Sequence, residues 1–403
     1  MSTASSIELS QRVQSIQPSA TIAMATKAKE LKATGAKVYD FSLGEPDFTT
    51  PDHICAAATQ AMKEGKTHYT PAAGTVELRA AISEDYQKTH GISYAPSQVV
   101  VSNGAKHSLH NVLATLCNPG DEVIIPAPYW VSYAALVELT GATPVILETK
   151  QEENFLLKPE TLEAAINERT KVLMLCSPSN PTGSMYDEAA LKGLAEVVLK
   201  HSLLVITDEI YEKLVYEGRK FVSFPTVDPQ LVDRTIVVNG VSKAYAMTGW
   251  RIGWALAPEA IAKGMSKLQS QQTSGPSSIA QAASVAALTS SQDCVEEMLE
   301  QFAKRRSYVQ GRIANIPRLT NTDMDGAFYA FINISSYFGK SFGGTQVDDS
   351  ETFCLQLLEQ QQVATVMGSA FGAEGYVRIS YATSMDILEA GFDRLEAFLK
   401  SAQ

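Results

Sequence analysis

TIVVNGVSKAYAMTGWRIGWAL, residues 235–256, joins two apolar runs through a short polar link. The first run, TIVVN, is rich in β-branched residues and stops at Gly240, which is typical of a buried strand. The second run, RIGWAL, begins at Arg251, only eight residues after Lys243. Because no crossover helix fits into so short a link, we expect the second strand to run antiparallel to its neighbour.

Apolar runs of the same kind lie upstream of this stretch. They are QVVV (98–101), EVII (122–125), TPVIL (143–147), KVLMLC (171–176) and LLVIT (203–207). Amphipathic segments of helical period separate several of them. Strands that are apolar throughout are buried on both faces, so the alternation predicts an α/β fold with a mainly parallel sheet covered by helices.

The two ends of the chain have a different character. A helix is predicted from Thr21 to Thr34, and a long helical region from Ile279 to Val309. The tail combines GAFYAFI (326–332), a helix near 350–361, VATVMG (363–368) and YVRISYA (376–382), which is an α+β pattern. We predict an N-terminal arm at residues 1–45, a large domain at 46–295 and a small domain at 296–403 that packs with the arm.

Charge and composition limit the function classes. The 403 residues contain 45% hydrophobic and 19% charged residues, as in a soluble globular protein, and the net charge is −11. This balance argues against a surface that binds nucleic acid or an anionic membrane. No run approaches the roughly 18 apolar residues of a membrane span. We expect small-molecule substrates, with no nucleic acid and no membrane.

The cysteines and the N-terminus bear on the compartment. Five scattered cysteines form no CxxC pair or Cys/His cluster, which predicts neither a disulfide framework nor a metal site. MSTASSIELSQ lacks the apolar core of a secretory signal. We expect the cytoplasm or the plastid stroma, since a transit peptide would leave no trace in this chain.

Polar or ionisable residues follow four of the predicted strands, where open α/β sheets bind their ligands. These segments are SNGAKH (102–107), SPSNPTG (177–183), DEIY (208–211) and GVSK (240–243). The start of the helix after SNGAK can bind a phosphate with free N–H groups. Lys243 can supply an amine nucleophile and Arg251 a fixed cation for a phosphate. The alternative is that both are surface residues, but the apolar neighbours of Arg251 favour a buried guanidinium that needs a partner.

Asp208 and Tyr211 suit a cofactor ring. A buried carboxylate can hold a pyridine nitrogen protonated, as an electron-sink cofactor requires. DEIYEKL also resembles a helix start, so Asp208 can instead be an N-cap. In that helix Tyr211 would lie on the same face as Asp208 and reach the cofactor, or it would be an ordinary core tyrosine.

SPSNPTG, DEIY and SKAYAMTGWRIG, in this order and spacing, resemble the class I aminotransferases of fold-type I. The resemblance covers almost the whole chain, from QRVQSIQPSAT through FSLGEPDF and YTPAAGTVELR to GAFY and VRISYAT. It implies a three-layer αβα domain that binds pyridoxal 5′-phosphate, and a homodimer whose active sites are shared between two chains.

The resemblance implies a role for each matching residue. Lys243 would be the Schiff-base lysine and proton carrier, and Asp208 the partner of the pyridine nitrogen. At the cofactor ring, Asn180 and Tyr211 would contact the phenolic oxygen, and Trp130 would stack on the ring. The phosphate would be bound by Ala105, Lys106, Ser242 and Arg251, and by Tyr69 of the neighbouring subunit. Arg378 would bind the α-carboxylate of the substrate, with Gly44, Asn180 and Trp130 beside it.

The pattern is most similar to the subgroup that transfers the amino group of aspartate to 2-oxoglutarate, including plant-type enzymes that also convert prephenate to arogenate. Thr21 and Lys106 match two positions which that group associates with prephenate. Each has a simpler explanation, since Thr21 can be a helix cap and Lys106 can serve only the phosphate. Other members of the fold remain open: a β-lyase, a cyclopropane-carboxylate synthase relative, or an aromatic or alanine aminotransferase. A regulator built on this fold would need a DNA-binding segment, for which the arm is too short.

Overall fold

The structure is a computed structural model that describes residues 7–16, 18 and 20–403. Two positions of the QRVQSIQPSAT motif, Gln17 and Ser19, lie outside the described residues, as do residues 1–6 of the predicted arm.

Helices occur along the whole described chain. Their bounds are α1 Gln11–Ser15, α2 Ala20–Ala33, α3 Asp52–Lys63, α4 Val76–His90, α5 Ala105–Leu116, α6 Tyr133–Glu138, α7 Pro159–Ala165, α8 Glu188–His201, α9 Glu259–Gln272, α10 Ser278–Thr289, α11 Asp293–Asn315, α12 Ser350–Gln361 and α13 Met385–Lys400. Local signals set several of these ends. The Thr75 side chain accepts the N–H of Leu78 at the start of α4, and Gly91 ends that helix with a φ of 76°.

The strands form one large sheet and three small ones. Their bounds are β1 Tyr39–Asp40, β2 Val99–Ser102, β3 Glu122–Ala127, β4 Thr143–Glu148, β5 Thr170–Cys176, β6 Leu204–Asp208, β7 Thr235–Gly240, β8 Gly253–Leu256, β9 Tyr329–Asn333, β10 Lys340–Phe342, β11 Thr345–Val347, β12 Val363–Ala364, β13 Val366–Met367 and β14 Tyr376–Ser380.

The large sheet has seven strands in the order β2-β8-β7-β6-β5-β3-β4. Strands β4, β3, β5, β6 and β7 pair in parallel, while β8 is antiparallel to both β7 and β2. The predicted α/β fold with a mainly parallel sheet is confirmed. The expected antiparallel RIGWAL strand is confirmed too, because the link after Lys243 reverses the chain without a helix.

Helices cover both faces of this sheet, as a three-layer arrangement requires. Helices α5, α6 and α9 pack on one face, against Val100, Ile206 and Val238 among others. The opposite face is covered at one end by α3, α4 and α10, and at the other end by α7 and α8. The exception is edge strand β4, where Ile146 is 37% exposed. The expectation that every apolar run is buried on both faces is wrong at β4, whereas the other edge strand, β2, is buried throughout.

The C-terminal part is α+β and packs with the arm. Strands β13, β14 and β9 form an antiparallel sheet, and one apolar core joins this part to Met24, Ala28 and Phe41 of the arm. The predicted helical region 279–309 is broken at residues 290–292 into α10 and α11. The predicted boundary at 295/296 falls in the first turn of α11, and the domain limits stay predictions.

Within the described part of the chain, each helix is too short or too polar to cross a membrane.

Candidate active site

A cavity of about 290 Å³ lies at the carboxyl ends of strands β5, β6 and β7. Every residue that the sequence assigns to the site lines this cavity, with the exception of Tyr69. The lining residues are Thr21, Ile22, Gly44, Ala105, Lys106, Trp130, Val131, Ser132, Tyr133, Cys176, Asn180, Asp208, Ile210, Tyr211, Ser242, Lys243, Thr248, Arg251, Tyr329 and Arg378.

Lys243 follows strand β7 and extends into the cavity. Its Nζ donates a hydrogen bond to the carbonyl oxygen of Gly44 at 2.6 Å. A Cβ at position 44 would lie 2.5 Å from the hydroxyl of Tyr329, so glycine lets this carbonyl approach. Burial lowers the pKa of Lys243 to about 8, and the charges of Arg378 and Arg251 act in the same direction against an opposing effect of Glu45. The amine is therefore partly unprotonated near neutral pH, as a nucleophile must be.

Asp208 is the last residue of strand β6 and is buried at the floor of the cavity. The hydroxyl of Tyr133 donates to its Oδ2 at 2.7 Å. Burial raises the pKa of Asp208 to about 6, although the Tyr133 hydrogen bond opposes this rise. The N–H of Ile210 donates to Oδ1 of Asp208 at 3.4 Å. A buried carboxylate whose donors are both neutral is suited to a cationic ring nitrogen.

The segment after Asp208 is a series of turns, so the helix suggested by DEIYEKL is wrong. The N–H of Glu212 donates to the carbonyl of Glu209 at 2.9 Å, and that of Leu214 to the carbonyl of Tyr211 at 2.8 Å. Side chains on several sides of this segment have tertiary partners, which override helix propensity. Tyr211 is buried in the cavity wall, and its hydroxyl lies 2.8 Å from that of Tyr329.

The start of helix α5 forms a cradle for an anion. Gly104, with a φ of 88°, precedes the helix and provides no side-chain cap, which leaves the first N–H groups free. A Cβ on Gly104 would collide with the guanidinium of Arg251, and one on Gly253 would collide with the backbone of Ala105. These two glycines therefore bring a cation and a helix N-terminus together.

Arg251 is exposed within the described chain, so the expectation of a buried guanidinium is wrong. The residue has a left-handed backbone with a φ of 57°, which turns its side chain along the rim of the cavity. Its Nη1 donates to the carbonyl of Thr248 at 2.9 Å. The apolar neighbours that suggested burial, Ile252 and Trp254, are themselves buried on the sheet.

Lys106 and Trp130 face each other on the wall of the cavity, with Nζ of Lys106 at 4.9 Å from the centre of the ring. Trp130 also packs edge-on against Tyr133, with ring centres 5.5 Å apart. This contact fixes the plane of the indole, which leaves a flat apolar surface toward the cavity.

Arg378 lies in the middle of strand β14 and is 1% exposed. Its Nη1 donates to Oδ1 of Asn180 at 3.0 Å, and its Nη2 donates to the carbonyl of Ser42 at 2.6 Å. Among the described residues no acidic side chain pairs with Arg378, and its buried Nε has no acceptor. Burial lowers the pKa of this guanidinium. A buried cation without a counter-charge is costly, so the geometry favours a carboxylate ligand.

Tyr69 is fully exposed and does not line the cavity of its own chain. Its implied contact with the phosphate of a neighbouring subunit stays a prediction.

Comparison with known proteins identifies the family. The profile of the family described as "Aminotransferase class I and II" matches residues 36–395. The chain belongs to this family. It is 45% identical over 394 residues to the aspartate aminotransferase of Bacillus subtilis, which covers 98% of this chain and 99% of that protein. It is 47% identical to the bifunctional aspartate aminotransferase and glutamate/aspartate-prephenate aminotransferase of Petunia hybrida, over 98% of this chain and 83% of that protein.

The solved structures agree with this assignment. The crystal structure of the aspartate aminotransferase from Rhizobium meliloti superposes with a TM-score of 0.95 at 42% identity, and the match covers 98% of this chain and 100% of the other. The resemblance to class I aminotransferases of fold-type I is confirmed. The protein is an aminotransferase, and its cofactor is pyridoxal 5′-phosphate.

The residues of the cavity fit this cofactor. The amine of Lys243 suits its aldehyde, the buried Asp208 its ring nitrogen, and the cradle at Gly104 its phosphate. Each of these groups lies at the end of a different strand or helix, which is how the sheet brings residues that are distant in sequence to one cofactor.

The sequence interpretation missed three contributors to this aminotransferase site. Tyr133 holds Asp208, Tyr329 holds Tyr211, and the carbonyl of Ser42 accepts from Arg378. Two of them carried a signal, because Tyr133 belongs to PAPYWVSY and Tyr329 to GAFY. Ser42 acts through its backbone, and no residue type could have indicated that.

Proposed function

We propose that this aminotransferase transfers the amino group of L-aspartate to 2-oxoglutarate, giving oxaloacetate and glutamate. The observation that carries the proposal is the buried, carboxylate-free guanidinium of Arg378 on the wall of the cofactor cavity. Every amino and keto acid substrate shares the α-carboxylate that would complete this site. Aspartate is chosen as the donor because the Bacillus and Petunia relatives are both named as aspartate aminotransferases.

The cavity also suits a second carboxylate. Lys106 and Arg251 are the other cationic side chains that line it besides Lys243 and Arg378. Among the described residues neither forms an ion pair with an acidic side chain. Two such cations can serve the cofactor phosphate and the distal carboxylate of aspartate together, because both ligands are anions.

Each proposed catalytic residue has a defined task. Bound pyridoxal phosphate supplies the carbonyl that takes the amino group and the ring that accepts electron density from Cα. Lys243 Nζ removes the proton from Cα of the substrate, for which its lowered pKa prepares it. Asp208 would keep the ring nitrogen protonated, while Asn180 and Tyr211 would donate to the ring oxygen. Arg378 orients the substrate by its α-carboxylate.

The proposed assembly is a homodimer with shared active sites. Tyr69 is 100% exposed although it is a large aromatic residue, and it lies in a loop that buried side chains anchor from below. Gln281 donates to the hydroxyl of Thr70 at 3.1 Å, and Gln269 donates to the carbonyl of Ala72. Such a fixed, exposed tyrosine suits a contact with the phosphate site of the neighbouring chain.

Prephenate is a second candidate acceptor. Thr21 of helix α2 lines the same cavity as Lys106, so both positions associated with prephenate can contact one substrate. Thr21 makes no cap for α2, because it is the second residue of that helix. The Petunia relative is named for both activities.

The proposed compartment is reducing, either the cytoplasm or the plastid stroma. A reducing compartment is supported by the five free cysteines, of which Cys117 and Cys354 are buried.

An assay of the purified holoenzyme tests the proposal. Aspartate, glutamate, alanine and aromatic amino acids serve as donors, with 2-oxoglutarate, oxaloacetate and prephenate as acceptors. Formation of more than one equivalent of oxaloacetate per active site from aspartate, only when 2-oxoglutarate is present, supports it. Keto acid and ammonia released from the donor over many turnovers without an acceptor would indicate a β-lyase instead, and faster turnover of aromatic donors or alanine would overturn the choice of aspartate.

A further inference from the structure

The segment that follows strand β6 has two opposite faces. Asp208 and Tyr211 line the cavity, whereas Glu209 and Glu212 point behind it into the protein. Carboxylates so far from water are costly unless they have partners. Neither Glu209 nor Glu212 takes part in the proposed chemistry. Their hydrogen-bond partners therefore indicate what they do.

Glu212 bridges three elements of the large domain. Its Oε2 lies 2.8 Å from Nε2 of His90, the last residue of helix α4. Its Oε1 accepts from Nδ2 of Asn239, in strand β7, at 2.8 Å. The side chains of His90 and Glu212 are only 6% and 10% exposed, and Asn239 is 5% exposed. Burial lowers the pKa of His90, but the hydrogen bond and charge of Glu212 outweigh it and raise the pKa overall.

Asn239 connects this bridge to the strand end that leads to Lys243. Its Oδ1 accepts the N–H of Gly240 at 2.7 Å. Lys243 follows Asn239 by four residues. The Glu212 carboxylate therefore ties the turn that carries Asp208 and Tyr211 to the strand end that carries the lysine.

Glu209 anchors the same turn from another side. It is fully buried, and its carboxyl oxygens accept from Oγ of Ser223 at 2.8 Å and from the N–H of Phe224 at 3.3 Å. One ligand atom each from His90, Glu209 and Glu212 lie within 4.8 Å of one another, which is close enough for a metal ion. Both oxygens of Glu212 are already hydrogen-bonded, however, and this favours a hydrogen-bonded support over a metal site.

We propose that Glu212 is a positioning residue for the transamination: held between His90 and Asn239, its carboxylate sets Asp208 and Tyr211 at the correct distance from Lys243. The three groups act on one cofactor from two neighbouring strand ends. A displacement of about 1 Å between such groups can cost on the order of a hundredfold in rate. Arg378 lies on a different sheet, and its hydrogen bonds go to Asn180 and Ser42 rather than to the bridge.

The test compares Glu212→Ala, Glu212→Gln and Asn239→Ala in the holoenzyme. Single turnovers with L-aspartate separate the maximal rate constant from the apparent dissociation constant. If the parent enzyme does not accept L-aspartate, L-glutamate is used as the donor. The result therefore does not depend on the proposed donor. Glutamine can accept from Asn239 and donate to Nε2 of a neutral His90, whereas either alanine variant breaks the contact with Asn239.

The matched control is Asp85→Asn. Asp85 is half-buried beside the same turn and pairs with Lys213 at 3.5 Å, but it does not contact Asn239. The control therefore removes a neighbouring charge and leaves the bridge intact.

We expect Glu212→Ala and Asn239→Ala to lower the maximal rate constant by about tenfold or more and to leave the dissociation constant within about twofold. Both should also shift the pH midpoint of the visible band of the bound cofactor. Glu212→Gln and Asp85→Asn should stay within about threefold of the parent in rate. Should Glu212→Ala fail to fold, Asn239→Ala still decides the question, because it removes two hydrogen bonds, to Glu212 and from Gly240, and no charge.

Three results would overturn the proposal. They are an unchanged rate constant in a folded Asn239→Ala enzyme, a loss confined to the affinity for aspartate, and an equal loss in Asp85→Asn.

Discussion

Arg378 donates from Nη1 to Oδ1 of Asn180 at 3.0 Å, and this bond joins the small antiparallel sheet to the loop after strand β5 of the large one. Asn180 faces the cavity that would hold the cofactor ring, so the residue assigned to the substrate carboxylate and the residue assigned to the cofactor are in direct contact. Binding at one of these positions can therefore be transmitted to the other through a single hydrogen bond.

Arg378→Ala should weaken binding of all amino and keto acids alike, because they share the α-carboxylate. Removing one partner of a desolvated, charge-assisted pair costs about 2–5 kcal/mol, or roughly 30- to several-thousand-fold in apparent affinity. Single-turnover titration with aspartate, glutamate and 2-oxoglutarate measures the loss. The visible band of the bound cofactor should remain.

Arg394→Ala is the control for this variant. Arg394 also lies in the C-terminal part of the chain and donates to the carbonyl of Gln361 at 3.2 Å, but it does not line the cavity. A strong preference of Arg378→Ala for one substrate, or unchanged binding of all of them, would mean that Arg378 is not the common carboxylate site.

The lowered pKa of Lys243 predicts how cofactor capture depends on pH. Only the unprotonated amine attacks the aldehyde, so the rate at which the apo-enzyme binds pyridoxal phosphate should rise through about pH 8 and level off above it. Stopped-flow recording of the visible band measures this profile. Replacement of Arg378 by alanine removes a positive neighbour and should move the midpoint upward. A rate that still rises at pH 10, as for an ordinary lysine, would contradict the lowered pKa.

Asp208→Asn should have opposite effects on activity and on stability. A carboxyl whose pKa is raised from about 3.9 to about 6 favours the folded state below pH 4, and this contribution is lost as the pH rises through 6. At pH 8 the neutral amide should therefore raise the free energy of unfolding of the apo-protein by about 2–3 kcal/mol. Removal of the Cα proton should slow, because the ring nitrogen loses its counter-charge.

Urea unfolding of the two apo-proteins at pH 8 and pH 4 checks the stability effect of Asp208→Asn. The difference should be present at pH 8 and nearly absent at pH 4. If the parent and the Asp208→Asn protein were equally stable at pH 8 and at pH 4, burial would not destabilise the ionised carboxylate of Asp208.

Tyr69 can be tested by mixing two inactive chains. One carries Lys243→Ala and the other Tyr69→Ala. If active sites are shared, a mixed dimer contains one site with both residues intact, and full exchange restores about a quarter of the parental sites. Sedimentation verifies the dimer and the exchange. Verified exchange with no recovery of activity would count against a shared site.

The sequence predicted the sheet because its strands carry strong local signals. Each central strand is a short, β-branched apolar run, and the link after Lys243 is too short for a helix. The clustering of Asp208, Asn180 and Lys243 follows from the same topology, since the carboxyl ends of adjacent parallel strands lie at one edge. Local pattern and global fold agree at these positions.

The failures come from tertiary contacts that a local pattern does not contain. DEIYEKL has a helical composition but forms turns, because Glu209 and Glu212 bond to Ser223 and to Asn239 instead. The apolar neighbours of Arg251 are buried, yet the left-handed backbone at Arg251 directs its own side chain to the rim. Neither outcome can be read from the composition of the segment.

Lys243→Ala tests the central assignment most directly. Without this amine the protein cannot attach pyridoxal phosphate covalently or carry the Cα proton, while the fold should survive because the Lys243 side chain donates only one hydrogen bond, to Gly44. Absorption spectra and a transamination assay on the folded variant give the answer. We expect the visible band of the lysine-linked cofactor to disappear and activity to fall below detection. An intact band, or activity within about tenfold of the parent, would contradict the role of Lys243.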